Sequence, residues 1–406
     1  MAVGPENFPE MFPVKGVKLG AVAAGIKNWQ RDDLLLIELS EGSKVVGTFT
    51  KNAFCAAPVH VCKKHLAETD ARYLLINAGN ANAGTGERGM SDALLSCELV
   101  AKAAGIEANQ VLPYSTGVIG EPLDMSKFKV AIPRVVEALV DDNWSQAAHA
   151  IMTTDTRPKG ASEQVIINGK TITITGVSKG SGMIKPNMAT MLAYIATDAL
   201  VSKDLLQEYV IAAVNKSFNR ITVDGDTSTN DACMLMATGL ADNKIIEDGN
   251  SESAKIFFAA LERVFQKLAH DIVKDGEGAT KFVSVNVAGG KTTEECVQVA
   301  YAVAHSPLVK TALFASDANW GRILAAVGYS GLAELDVNKI QIHLDDVLLV
   351  ENGGRASGYT EEQGAAVMAQ ENITIRIDLG RGDVEDTVWT TDLSHDYVSI
   401  NADYRT

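Results

Sequence analysis

The sequence predicts a mixed α/β protein. Two kinds of segment alternate along the 406 residues: short runs rich in β-branched and aromatic residues, and longer segments whose apolar residues recur every three or four positions. Hydrophobic residues make up 46% and charged residues 21% of the chain, an ordinary globular composition that excludes a largely disordered protein. The length suffices for two or three domains with a buried core.

Each element is predicted from its local pattern, in chain order. β-branched and aromatic content predicts strands at 45–50, 73–77, 111–115, 165–167 and 171–177. Helical spacing of apolar residues predicts helices at 90–104, 129–140, 203–218 and 251–269. A last sheet is predicted from strands at 281–287, 340–344, 347–350 and 373–379, closing with 397–400. No repeat or low-complexity linker marks a domain boundary.

The charge and the cysteines limit the partners and the compartment. There are 36 Lys and Arg against 51 Asp and Glu, a formal charge of −15, which repels nucleic acid and anionic lipid. The N-terminus has no basic segment followed by an apolar run, and no stretch is long enough for a membrane helix. The five cysteines are scattered and never spaced as CxxC. We therefore expect a cytoplasmic protein with reduced cysteines and no nucleic-acid or membrane partner.

Glycine is plentiful and clustered. The 34 glycines include clusters at 79–89, 117–120, 180–182, 276–278 and 353–358, where backbone N–H groups can approach a ligand or simply form turns. The segment 84–89 spells GxGxxG, the pattern of a nucleotide-binding oxidoreductase. However, residues 78–83 separate it from the preceding strand, and the next strand ends without an acid to hold a ribose. A turn or a substrate-lining loop is the favoured interpretation.

Metal and serine-triad sites find little support. No serine lies in GxSxG, and none of the seven histidines forms HExxH or HxH. Cys55 and Cys62 lie near His60 and His65, which would suit a Cys–His nucleophile, but small buried cysteines are the more common outcome. We expect no metal and no tightly bound cofactor.

The segment KGSGMIKPNMATMLA, residues 179–193, differs from the other glycine clusters. It follows a predicted strand, contains two glycines and a proline, and enters an apolar run at Thr190. Small Ala189 before a hydroxyl residue is a place where the main-chain amide could be attacked by the next residue's Oγ1, followed by cleavage. The product would be a threonine whose α-amine, with a pKa of about 8, can accept the proton of its own hydroxyl. From the residues alone, a phosphate-type glycine loop or a plain turn remains open.

The run KGSGMIKPNMATMLAYIATDA closely resembles the self-processing signature of the ornithine acetyltransferase family, the glutamate N-acetyltransferases of arginine biosynthesis. The resemblance extends over nearly the whole chain in separate motifs: TKNAFCAAPV at 50–59, NAGNANAGTGERG at 77–89, STGVIG at 115–120, MTTDTRPK at 152–159, ITVDGDTSTND at 221–231, DGEGATK at 275–281, SDANWGR at 316–322 and NADYRT at 401–406.

The resemblance implies that the precursor cuts itself between Ala189 and Thr190. The products would be an α chain, 1–189, and a β chain, 190–406, assembled as an α2β2 heterotetramer. Thr190 would take the acetyl group from N2-acetylornithine and pass it to glutamate in a ping-pong reaction. Family members differ in whether acetyl-CoA also serves as donor, and we favour the bifunctional type.

The resemblance also implies roles for individual residues. Thr116 and Gly117 match the oxyanion hole, and Lys179 and Glu277 match residues that bind the substrate carboxylate and ammonium. One or more of the three threonines Thr153, Thr154 and Thr156 would contact substrate. Asn401 and Thr406 match substrate-binding positions, so the C-terminus should fold back into the site.

The fold implied is a layered α/β core resembling those of N-terminal nucleophile enzymes and self-cleaving aminopeptidases, with a smaller C-terminal α/β domain at about 285–395. The competing hypothesis with the same nucleophile is a self-cleaving N-terminal-threonine amidohydrolase or aminopeptidase, which would use water as acceptor.

Overall fold

The computed structural model describes residues 2–5, 7–185 and 191–403. Its strands are β1 (Val17–Val22), β2 (Leu34–Leu39), β3 (Lys44–Phe49), β4 (Tyr73–Asn80), β5 (Val111–Val118), β6 (Lys159–Ile167), β7 (Lys170–Lys179), β8 (Leu192–Thr197), β9 (Ala232–Ala237), β10 (Phe282–Gly290), β11 (Gln341–Leu344), β12 (Val347–Glu351), β13 (Gly354–Arg355), β14 (Asn372–Asp378) and β15 (Val384–Thr391). Its helices are α1 (Ala57–Glu68), α2 (Gly86–Ala104), α3 (Met125–Glu137), α4 (Trp144–Ala150), α5 (Lys203–Asn215), α6 (Glu252–Lys274), α7 (Thr293–Ala304), α8 (Pro307–Phe314), α9 (Trp320–Gly328), α10 (Glu361–Met368) and α11 (His395–Ala402).

Two sheets stack face to face at the centre of the molecule. The first has the order β1-β2-β4-β5, and the second has the order β3-β9-β8-β7-β6. Apolar side chains of both sheets share one core, for example Ile37 and Ile76 of the first with Tyr194 and Met234 of the second. The outer face of the first sheet packs on α2 and α3, and that of the second on α5 and α6. The result is four layers, helix, sheet, sheet and helix, which confirms the expected layered α/β class.

A third sheet forms a separate apolar core in the C-terminal part of the chain. Its order is β13-β12-β11-β14-β10-β15, with β10 and β14 parallel. The apolar faces of α7 and α9 pack in this core, which includes Val285, Val299 and Ile375. None of the helices in the described ranges is long and apolar enough to cross a membrane. All five cysteines are free and four are buried, as expected from their scatter along the sequence.

Two local predictions are wrong. Residues 397–400, predicted as a strand, lie in α11, whose N-terminus is capped by Ser394 accepting from the N–H of Tyr397. Four residues are too few to distinguish a strand from a helix by pattern. The loop predicted at 84–89 ends earlier than expected, because Gly86 begins α2 and Gly89 lies inside that helix.

Three strands place the site. β8 is buried at every position, lies between β7 and β9, and runs parallel to β9. β7 ends at Lys179, and β8 begins at Leu192, directly opposite Lys179 in the antiparallel register. In the other sheet, β5 ends at Val118, after Thr116 and Gly117. These strand ends surround one cavity.

Candidate active site

A cavity of about 240 Å³ lies at these strand ends. Its walls come from six separate stretches of the sequence, represented by Thr116, Thr153, Lys179, Asp231, Glu277 and Asn401. Ile184 and Met191, which lie on either side of residues 186–190, also line it. The cavity therefore gathers residues that are far apart in the chain.

The end of β5 provides a backbone that only glycine fits. Gly117 has a φ of +131°, and a Cβ there would lie 2.3 Å from the carbonyl carbon of Gly79 on the neighbouring strand β4. The close approach of the two strands leaves Thr116, 9% exposed, at the cavity wall. A hydroxyl and a main-chain N–H are thus offered side by side, which is the donor set that stabilises an oxyanion.

The cavity contains a buried lysine with a defined orientation. The Nζ of Lys179 donates to Oγ1 of Thr153 at 2.8 Å and lies 3.8 Å from Oδ2 of Asp155. Burial lowers the pKa of Lys179, and Asp155 opposes this effect. A cation held by one neutral and one charged partner can still accept a carboxylate ligand.

A second lysine, Lys159, lies beneath the first and has no exposed side-chain surface. Its Nζ donates to Asp155 at 2.6 Å and to Asp275 at 2.5 Å. Asp155 also accepts from the N–H groups of Thr153 at 2.9 Å and Gly180 at 2.7 Å. Burial by itself would raise the pKa of Asp155, but Lys159 and Lys179 outweigh it and hold the pKa below its ordinary value. These contacts fasten two cavity loops to one buried cation.

The loop at 275–277 is attached to the same cluster. Asp275 accepts from the N–H of Thr156 at 3.1 Å and from its hydroxyl, and its carbonyl accepts from the hydroxyl of Ser181 at 2.7 Å. The N–H of Glu277 donates to the carbonyl of Ser181 at 2.9 Å. Through these bonds the carboxylate of Glu277 is brought to the cavity from the end of α6.

The C-terminal helix α11 reaches the same carboxylate. The side-chain amide of Asn401 donates to Oε2 of Glu277 at 2.7 Å and to the carbonyl of Tyr397 at 3.0 Å. Glu277 is 7% exposed, so its negative charge faces the cavity rather than bulk solvent. Carboxylate and amide together suit an ammonium group.

Asp231 is a second buried acid in the cavity wall, 2% exposed. Within the described part of the chain, no donor lies within hydrogen-bonding distance of its Oδ2. Burial raises its pKa well above the ordinary value, and the Ser228 hydroxyl and the charge of Lys179 oppose this only in part. The cavity thus holds an acid that favours its neutral form.

The chain on the N-terminal side of the undescribed segment is firmly attached. Asp224 accepts from the N–H groups of Met183 at 2.6 Å and Ile184 at 2.9 Å. The carbonyl of Ile184 accepts from the N–H of Val223 at 2.8 Å and from the Thr222 hydroxyl at 2.9 Å. The segment that leads toward Ala189 is therefore fixed up to residue 184.

The structure brings together most of the residues singled out in the sequence. Thr116, Gly117, Thr153, Thr154, Lys179, Glu277 and Asn401 line the cavity. Thr156 is bonded to Asp275 and lines a neighbouring cavity of about 260 Å³ instead. Ala189, Thr190 and Thr406 lie outside the described residues. In the described ranges, no group of three or more His, Cys, Asp or Glu side chains is arranged to hold a metal ion.

Sequence reasoning missed the buried charges. Asp155, Lys159, Asp231 and Asp275 all lie inside the quoted motifs, yet none was singled out, because a charged residue in a polar loop is normally solvated. The available signal was their position in glycine- and threonine-rich segments that were already assigned to the site.

Comparison with known proteins follows the same segments. The family model of the ArgJ family matches residues 18–406. A relative from Pseudomonas syringae pv. tomato, named arginine biosynthesis bifunctional protein ArgJ, is 58% identical over 410 residues, which cover 100% of both chains.

Two solved structures are also similar. The crystal structure of arginine biosynthesis bifunctional protein argJ from Bacillus halodurans is 40% identical, over 50% of this chain and 95% of its own, with a TM-score of 0.49. The crystal structure of ornithine acetyltransferase complexed with ornithine, from Mycobacterium tuberculosis, is 33% identical, over 44% of this chain and 94% of its own, with a TM-score of 0.39.

Proposed function

Since this chain belongs to the ArgJ family, we propose that it transfers the acetyl group of N2-acetylornithine to glutamate, giving ornithine and N-acetylglutamate. The chain is an acyltransferase of arginine biosynthesis. The proposal adds its substrates, its nucleophile and the route by which that nucleophile is made.

One observation carries the proposal: the oxyanion donors, a carboxylate-binding cation and an ammonium-binding acid line a single cavity. These are Thr116 with Gly117, Lys179, and Glu277 with Asn401. Acyl transfer between amino acids requires all three functions within reach of one nucleophile. Thr190 is bonded to Met191, and Met191 lines the same cavity.

The nucleophile is proposed to arise by self-cleavage. Oγ1 of Thr190 attacks the carbonyl carbon of Ala189, the peptide C–N bond breaks, and an ester joins the two residues. Water then hydrolyses the ester and leaves Ala189 with a carboxylate and Thr190 with a free α-amine. The products are chains of 189 and 217 residues, which we propose assemble as an α2β2 heterotetramer in the cytoplasm.

Acetyl transfer then proceeds in two half-reactions. The α-amine of Thr190 accepts the hydroxyl proton, Oγ1 attacks the acetyl carbonyl of acetylornithine, and ornithine leaves with a proton on its amine. Thr116 and the N–H of Gly117 stabilise the oxyanion, and one such donor contributes about 3 kcal/mol. Glutamate then attacks the acetyl-enzyme through its amine and leaves as N-acetylglutamate.

Both substrates carry an α-carboxylate, which we assign to Lys179 and the hydroxyl of Thr153. Their 2.8 Å hydrogen bond holds the ammonium in place before substrate arrives. Glu277 and Asn401 are assigned to the side-chain ammonium of ornithine. The chemistry of each partner supports these assignments: a buried cation for the anion, and a buried carboxylate for the cation.

Denaturing electrophoresis and a transfer assay test the proposal together. Wild-type protein should run as two fragments, and Thr190→Ala should run as one inactive chain of 43.2 kDa. Thr190→Ser retains a hydroxyl and serves as the matched control that is still cut. A Thr190→Ala chain that is cut would refute the nucleophile.

The acceptor is tested with acetylornithine that carries a labelled acetyl group. Label should appear in N-acetylglutamate when glutamate is present. Release of labelled acetate alone would support the amidohydrolase alternative instead.

We also propose acetyl-CoA as a second donor. The support is the word bifunctional in the name of the 58% identical relative. A thioester can acylate the same threonine without a cofactor site of its own. Formation of N-acetylglutamate from acetyl-CoA and glutamate, lost in Thr190→Ala, is the expected result.

A further inference from the structure

Asp231 is a chemical group in the cavity that the proposed acetyl transfer does not use. It lies immediately before β9, is 2% exposed, and lines the cavity beside Lys179 and Met191. Its carbonyl accepts from the N–H of Thr50 at 3.0 Å, so its backbone is fixed. Its Oδ2, in contrast, has no donor among the residues that the structure describes.

The strand register places Asp231 beside the proposed cut. β8 and β9 are parallel neighbours, with Leu192 opposite Ala232. The N–H of Ala232 donates to the carbonyl of Met191 at 3.0 Å. Asp231 therefore precedes the residue that is bonded to Met191, and Met191 is covalently attached to Thr190. The nitrogen released by cleavage belongs to the chain that runs alongside Asp231.

A buried carboxylate without a cation is strongly disfavoured, and the nearest cation, Lys179, is already paired with Asp155 at 3.8 Å. In the uncut chain Asp231 is therefore a neutral acid, and a neutral acid in a largely dry cavity is a proton donor. Cleavage creates an amine in the same region, which can accept that proton.

We propose that Asp231 is the catalytic acid of self-cleavage, donating its proton to the nitrogen of Thr190 as the bond from that nitrogen to Ala189 breaks. This inference rests on the cleavage proposed above. The Oγ1 proton and the Asp231 proton together convert the amide N–H into an ammonium, and Asp231 becomes its carboxylate partner. When the amine later acts as base, Asp231 takes the proton back, and the neutral pair is favoured because the cavity is buried.

Asp231→Asn is the decisive variant, because it keeps the shape and removes the acid. Self-cleavage of freshly translated chains is followed by denaturing electrophoresis, and we expect it to slow by about 100-fold or more. Asp198→Asn is the matched control: Asp198 is also 2% exposed and accepts from the N–H of Thr173 at 2.8 Å, but it follows the far end of β8. That variant should be cut at the wild-type rate.

Folding is tested separately in the uncut Thr190→Ala background. If Asp231 is neutral in the precursor, the neutral amide of Asp231→Asn should leave the thermal unfolding temperature unchanged at pH 7. A variant that fails to fold, or unfolds at a much lower temperature, overturns the neutral-acid premise.

Chemical rescue separates an acid from a structural residue. Asp231→Ala leaves space for formic acid, and added formic acid should accelerate cleavage in proportion to its protonated concentration. Absence of rescue, or wild-type cleavage in Asp231→Asn, overturns the inference while leaving Thr190 as nucleophile. Cleavage of Thr190→Ala would instead overturn the proposed function.

Discussion

Replacing Lys159 by methionine should destabilise the protein far more than replacing any surface lysine. Methionine matches the aliphatic part of the side chain, so the change chiefly removes the charge. Two carboxylates with no exposed surface, Asp155 and Asp275, then lose hydrogen bonds of 2.6 and 2.5 Å. Among the ion pairs of the described residues, only that between Asp155 and Lys179, at 3.8 Å, still reaches either carboxylate.

The magnitude follows from the burial. Removing one partner of a buried ion pair generally costs about 3–5 kcal/mol, because the remaining charge is uncompensated. Lys159 serves two carboxylates, so we expect the upper part of that range. Domains are typically stable by about 5–15 kcal/mol, and this single change would therefore remove much of the total.

Equilibrium unfolding in urea at pH 7 measures this loss, in the Thr190→Ala background so that one uncut chain is compared throughout. Lys64→Met is the control, because Lys64 pairs with Glu68 at 3.9 Å with 66% of its side chain exposed. Exposed pairs contribute about 0–1 kcal/mol. A loss for Lys159→Met that equals that of Lys64→Met would refute the electrostatic account of the cluster.

The pH dependence provides a second check on the same variant. The pKa of Asp155 is held below its ordinary value, so its stabilising contribution is present above about pH 4 and is lost as the pH falls through the folded pKa. The pKa of Lys159 is raised, because its two carboxylates outweigh the effect of burial, so its contribution is lost only at strongly alkaline pH. The difference between the parent and Lys159→Met should be constant from about pH 5 to 9 and shrink in acid.

Three further variants test other parts of the site and core. Gly117→Ala places a Cβ 2.3 Å from the carbonyl carbon of Gly79 at a φ of +131°, and urea unfolding should show a loss of about 2 kcal/mol or more. Gly182→Ala places a Cβ 2.4 Å from the carboxyl carbon of Glu277, whose movable side chain should shift; we expect a KM for acetylornithine about tenfold higher with little change in thermal stability. Burial lowers the pKa of His270 to about 4, so the unfolded chain gains its proton first and the wild type should lose stability as the pH falls from about 6.5 to 4; melting temperatures of His270→Phe should decline less over that range.

The sequence predicts elements best where the local pattern decides the structure. The helices near 90–104 and 251–269 have a single apolar face, and both are present as α2 and α6. β2 and β9 were not predicted, because a strand buried on both faces shows no alternation of apolar and polar residues. The segment 397–400 was assigned to a strand for a related reason: four residues of mixed character fit either structure, and the Ser394 cap decides.

The site was predictable where a motif carries the chemistry, and not where partners are distant. Thr116 and Lys179 stand in motifs with recognisable chemistry. The bond between Lys159 and Asp275 joins residues 116 positions apart, and no local pattern in the sequence relates them. An isolated lysine is normally solvated, so burial of Lys159 is a property of the assembled layers.

The same buried cluster bears on how a chain cut at Ala189 could remain one enzyme. β7 and β8 would belong to different fragments, yet they pair in register from Ile174 opposite Thr197 to Lys179 opposite Leu192. The fully buried bond between Lys159 and Asp275 would also cross from one fragment to the other. Separating the fragments would break a central pair of strands and expose both charges, so it amounts to unfolding the core. A cut at this position can therefore free a nucleophile without freeing a domain.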